Sequence, residues 1–269
     1  MVKKLFKHEF IFYTRIMAIV YSILLTVAAA TRIILIFESD TTAYRIISTF
    51  SLIIYIVSAL ATLGFAFVMG IVRFYKNLFT AEGYLSLTLP VTAAQHIGVK
   101  AVTAVCVEWV TLIVVALSGC IVTPGEVLTE IWRALIGIPV ELYEVMGIHC
   151  VLVGGEFMIL LLTASFYSVM LYYTFISIGQ LSKKNRILAA VGAYFIFYII
   201  SQVVSTVLTI LLSAVAMTGI FVDIAYWIYL NPIASVHIFM WGAILLTIIF
   251  ALIEFLVIRW IVTKKLNLE

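Results

Sequence analysis

Six separate runs of more than twenty mostly apolar residues, at 16–37, 46–72, 101–123, 148–179, 187–217 and 237–262, constrain this chain more than any motif in it. A bilayer core of about 30 Å takes roughly 20 apolar residues per helix. Lipid offers a crossing backbone no partner but itself, so the expected form is helical. The pattern predicts an all-α polytopic membrane protein, one transmembrane domain over 1–269 with six transmembrane helices. Composition agrees: 65% of residues are hydrophobic and 11% charged, against roughly half and a quarter in soluble domains. The fourth and fifth runs exceed what a perpendicular crossing needs, so each is expected to tilt, break or project beyond the lipid.

Basic residues orient the six spans. Lys3, Lys4, Lys7, Arg15, Arg73, Lys76, Lys100, Lys183, Lys184, Arg186, Arg259, Lys264 and Lys265 fall on one side, leaving Arg32, Arg45 and Arg133 for the other. The crowded side is expected to be cytoplasmic and to carry both termini. This asymmetry accounts for the net charge of +3 better than a nucleic-acid partner would. Residues 1–15 mix Lys3, Lys4 and Lys7 with Phe6 and Phe10, which suits an interfacial helix lying against anionic headgroups; the other reading is a plain lead-in to the first span. They hold no short apolar core with a small-residue cleavage site, so no cleaved signal peptide is expected.

On the opposite side, 124–147 sets acids beside Ile131, Trp132, Leu135 and Ile136 at helical spacing, predicting a short helix on the outer surface. The apolar, aromatic 221–236 is broken by Asn231-Pro232 and reads either as a re-entrant segment or as an aromatic belt. Cys106, Cys120 and Cys150 lack metal-site spacing and read as packing residues. His96, His149 and His237 are scattered over different segments and read as interfacial or packed histidines rather than metal ligands. There is no G-x-x-x-x-G-K-[ST] loop, no H-E-x-x-H and no G-x-S-x-G, so this chain is not expected to bind ATP phosphates or to be a hydrolase.

Between the second and third runs the chain interrupts itself. Arg73 and Lys76 mark the exit from lipid, Lys100 the return, and the intervening NLFTAEGYLSLTL reads as a short helix ended by Pro90. Leu78, Phe79, Leu85, Leu87 and Leu89 exceed what a solvated loop needs, so they want a partner: either this chain's own helix ends or another protein.

The passage FYKNLFTAEGYLSLTLPVTAAQHIGVK, 74–100, with the basic opening KKLFKHEFIFYTR and the six-span plan, resembles permease subunits of bacterial type-2 (ABC-2) ATP-binding-cassette exporters. The resemblance implies that 73–100 is a cytoplasmic coupling segment seated in a nucleotide-binding ATPase subunit, with Phe79, Glu82, Gly83, Tyr84 and Leu85 at the contact. It also implies that ATP and Mg²⁺ sit on that partner, that this chain binds no cofactor, and that two permeases, identical or homologous, pair in a bacterial plasma membrane.

Three acids fall inside the spans. Glu254 lies near Arg259 and an end, while Glu108 and Glu156 are deep enough to line a polar route or to be protonated packing residues. Small residues recur every four positions at Ser58, Thr62, Ala66 and Gly70 and at Ser201, Ser205, Thr209 and Ser213. Such stripes let helices approach closely. The resemblance sets these two spans around a central cavity, although ordinary packing uses the same pattern. A secondary transporter or channel built on Glu108 and Glu156, needing no ATPase, is the alternative.

Overall fold

The computed structural model describes residues 2–80, 91–182, 184–216 and 219–264. Among these are eight helices and no strand: α1 Val2–Ile36, α2 Thr42–Phe79, α3 Ala93–Val122, α4 Gly125–Met146, α5 His149–Gly179, α6 Arg186–Ala216, α7 Gly219–Leu230 and α8 Pro232–Lys264. Six of them, α1, α2, α3, α5, α6 and α8, are long and apolar enough to cross a membrane. The expected all-α architecture is therefore present, with the expected six helices that could span a membrane.

Several boundaries differ from the sequence expectation, each for a local reason. The expected interfacial helix over 1–15 is not a separate element, because α1 runs unbroken from Val2 to Ile36. Neither Gly nor Pro occurs in that stretch, so nothing stops the hydrogen-bond ladder. At about 1.5 Å per residue its 35 residues reach well past a bilayer core. Lys3, Lys4, Lys7 and Phe10 are exposed on it and Phe6 is half-buried. Similarly, α2 continues to Phe79, so Asn77, Leu78 and Phe79 form its last turn. The start of α3 is set by Thr92, whose side chain accepts from the Gln95 N–H while the Gln95 side chain accepts from the Thr92 N–H.

A helix is present where one was expected over 124–147: α4 runs from Gly125 to Met146 with Pro139 inside it and buries none of its residues. The Asn231-Pro232 break separates the short α7 from α8, and the Asn231 side chain donates to the Trp227 carbonyl at the end of α7. The last long helix thus begins at Pro232 rather than near 237.

The chain divides into two compact units, Met1–Ile138 and Pro139–Glu269. In the first, α1, α2 and α3 meet on a core of Tyr13, Met17, Ala66 and Val107, with Tyr21 and Met69 packed against it. Side chains fix the register: Tyr21 hydroxyl with Thr111 hydroxyl at 2.7 Å, Tyr55 with Ser118 at 3.0 Å, and Thr31 donating to the Ser51 carbonyl at 3.2 Å. These pairings make α1 and α3 parallel, with α2 antiparallel to both. The stripe of Thr62, Ala66 and Gly70 is buried here and Ser58 half-buried, so it serves helix packing within the unit.

In the second unit α5 and α8 run parallel and share the main core, burying Val169, Met170, Tyr173 and Ile176 of α5 and Ile244, Ile258 and Ile261 of α8. Rings of α5 and α6 meet where Phe175 faces Tyr194 and Phe197 at 5.6 and 5.4 Å. Gly179, last in α5, lies so close to the start of α6 that an added Cβ would sit 2.6 Å from the Arg186 carbonyl oxygen. No residue of α6 is buried, and its stripe of Ser201, Ser205, Thr209 and Ser213 is exposed along its whole length.

Candidate functional site

In the first unit a single carboxylate gathers three helices. Glu9, on α1, is 4% exposed. Its Oε1 accepts from Lys100 Nζ of α3 and from Asn77 Nδ2 of α2, both at 2.8 Å, and its Oε2 accepts from Arg73 Nε of α2 at 3.0 Å. Arg73 and Asn77 stand one turn apart on α2 and therefore face the same way. The Arg73 guanidinium also lies over the Phe12 ring, 3.8 Å from its centroid, a cation–π contact made by the residue one turn along α1 from Glu9. Lys100 is 3% exposed and Asn77 7%. A buried ammonium is expensive to keep without an anion, and Glu9 supplies it. The group holds two cations and one acid.

Its position matters as much as its chemistry. Asn77 is in the last turn of α2 and Lys100 near the start of α3, so both feet of the 81–90 segment are tied to one atom, Glu9 Oε1. Charge-assisted hydrogen bonds of this kind are the strong ones. Lys3 and Phe6 of α1 line an open apolar groove with Gly98 and Val102 of α3 beside this tie.

The residues expected at an ATPase contact divide in two. Glu82, Gly83, Tyr84 and Leu85, like Leu87, Leu89 and Pro90, lie outside the described residues. Phe79 is 5% exposed, its ring 5.7 Å from that of Phe74, and Leu78 is fully buried. Those two apolar residues are thus covered by this chain's own packing, the first of the two readings that the sequence left open for them. Arg73 and Lys100, expected only as markers of the lipid boundary, are instead turned inward. Glu9 and Asn77 were not anticipated at all. One signal pointed to Glu9: it is the sole acid in the first 37 residues, set among Lys3, Lys4, Lys7 and Arg15.

The second unit holds a different polar cluster. Glu156 of α5, 8% exposed, receives Trp241 Nε1–H of α8 on Oε1 at 2.9 Å. His237 Nδ1 lies 2.8 and 2.9 Å from its two oxygens, and His237 Nε2 lies 3.1 Å from Nδ1 of His149. Two of the three histidines that looked scattered are therefore joined, His96 lying buried on α3 in the first unit: seven residues separate His149 from Glu156 on α5, and four separate His237 from Trp241 on α8, which are same-face spacings. Glu108 is half-buried and within electrostatic reach of Tyr13 in the first unit. Glu254 lies beside Thr174 and Tyr167 near the far end of the α5–α8 seam. No group of three His, Cys, Asp or Glu side chains suited to a metal ion occurs among the described residues.

No protein-family model, curated protein or solved structure matches this chain.

Proposed function

We propose that the chain is the transmembrane permease subunit of an ATP-binding-cassette exporter of the ABC-2 type. A separate nucleotide-binding subunit, carrying ATP and Mg²⁺, drives it, and it pairs with a second permease in a bacterial plasma membrane with both termini cytoplasmic. It moves an apolar or amphipathic cargo, a peptide, lipid or drug-like molecule, outward. What carries the reading is the Glu9 tie at the root of 81–90, joined to the family-like wording of 74–100. A segment that takes a push from an ATPase is useful only if its feet are fixed to the helices that must move. Here one carboxylate fixes both feet to a third helix.

The burial of Leu78 and Phe79 in the last turn of α2 supports taking 81–90 as the docking element. The test follows from that boundary. Deleting 81–90 is expected to abolish copurification of a co-expressed partner nucleotide-binding subunit while leaving the unfolding temperature of the permease within a few degrees. Undiminished ATPase binding by the deletion variant would refute the reading. A secondary transporter that needs no ATPase is the alternative, and the Glu156 cluster is the observation that favours it.

A further inference from the structure

The cluster between α5 and α8 contains two contacts that cannot exist without protons. An imidazole nitrogen and a carboxylate oxygen 2.8 Å apart need one hydrogen between them, and two imidazole nitrogens 3.1 Å apart need another. Trp241 Nε1–H, a donor only, holds the carboxyl in place whatever its charge.

With two protons in the contacts, Glu156 is a carboxylate, His237 carries its hydrogen on Nδ1, and His149 donates from Nδ1 to the bare Nε2 of His237. The cluster then has a charge of one negative unit. A third proton arriving on Nε2 of His149 lets the hydrogen on its Nδ1 pass to His237 Nε2. His237 is now an imidazolium between a carboxylate and a neutral imidazole, and the cluster is neutral overall. A second hop, from His237 Nδ1 to Glu156, leaves a carboxylic acid donating to Nδ1 and His237 donating from Nε2 to His149. All three arrangements keep every hydrogen bond and move no heavy atom.

We propose that His149, His237 and Glu156 form a proton-binding site in which His237 relays one proton between His149 and Glu156. His149 opens the chain at the first residue of α5 and is only half-buried, whereas Glu156 is buried, which gives the relay an entrance and an end. The path stops there. Beyond Glu156 the residues Phe157 to Leu162 are all apolar, and the next polar pair on the seam, Thr163 with Thr247 at 3.0 Å, is seven residues on, about 10 Å along the helix. The proton is therefore stored and returned, not conducted.

Among the described residues, other titratable groups near the cluster are few. From α6, which packs on α5, residues 187–216 contribute only Tyr194 and Tyr198, both exposed, and Arg186 stands at the opposite end. From α7, which packs on α8, come Asp223, Tyr226 and Tyr229, all exposed. Glu141, Tyr143 and Glu144 lead into α5 and are exposed, and Cys150 donates to the Pro139 carbonyl.

This site rests on α5 and α8 alone and stands whether or not an ATPase drives the chain. Nitrogen NMR of the ¹⁵N-histidine-labelled full chain in lipid nanodiscs tests it, across the range of about pH 5 to 8 in which imidazoles ordinarily titrate. The expected result is that the His149 and His237 rings change together in a single transition, with His237 Nδ1 retaining its hydrogen bond throughout. Separate transitions in the natural sequence, or no change in either ring, would overturn the proposal, and that measurement needs no variant to fold. A steady proton flux through the chain in vesicles under an imposed pH gradient would overturn the closed end of the relay; none is expected.

Discussion

At the residue scale, Glu9 carries the largest electrostatic responsibility in the first unit. Removing one partner of a buried ion pair strands the other, a loss of about 3–5 kcal/mol. Glu9→Gln is thus expected to lower the thermal midpoint in detergent by many degrees, whereas Glu9→Gln combined with Lys100→Met should recover much of the loss, since no ammonium is then left buried. A double variant as unstable as the single one would show that the carboxylate does something other than neutralise Lys100. Little of this was legible in the sequence. Glu9 stands 64 and 91 positions from Arg73 and Lys100, and charge pairing over such separations leaves no local pattern. Basic residues at a lipid boundary have a sufficient explanation in topology, and that explanation hid the inward turn of both side chains.

Among the elements, the six long helices were readable because bilayer thickness dictates a length and lipid a composition, and both are local properties. Their ends were harder to read. Nothing in residues 2–36 distinguishes where an interfacial helix ceases and a span begins, since uninterrupted helix-forming sequence simply continues. The His149–His237–Glu156 cluster lay beyond reach for another reason: it depends on α5 and α8 running parallel with a particular offset. The close approach of α5 and α6 offers an element-scale prediction. An alanine methyl at Gly179 would lie 2.6 Å from the Arg186 oxygen and 2.7 Å from the Ala190 Cβ. Overpacking of this kind costs about 1–3 kcal/mol. Gly179→Ala should therefore lower the unfolding midpoint measurably, while Gly98→Ala, inside α3 with nothing within 4 Å of the new methyl, should raise it slightly through the helix preference of Ala over Gly, about 0.5–1 kcal/mol. Equal effects of the two substitutions in a thermal-shift series would contradict the packing described.

For the molecule as a whole, orientation rests on where the basic residues fall, and it is directly measurable. In a background with Cys106, Cys120 and Cys150 replaced by alanine, a cysteine introduced at Lys184 should react with a membrane-impermeant maleimide only after the cells are opened. One introduced at Glu141 should react in intact cells. The reverse pattern would invert the protein and place 81–90 where no ATPase could meet it. The two units also differ in character. The first closes its polar business around a fixed ion pair beside the segment proposed to receive force, and the second keeps a cluster whose hydrogens can be rearranged without loss of any bond.

The burial of Lys100 reaches into covalent chemistry. An amine 3% exposed and locked onto a carboxylate is withheld from acylating reagents and modifying enzymes, whereas Lys3, Lys4 and Lys7 stand open to them on the same end of the unit. Those three, with the exposed Lys76 in the last turn of α2, are open to having their charge written over after synthesis, and the tie that holds the three helices together is not.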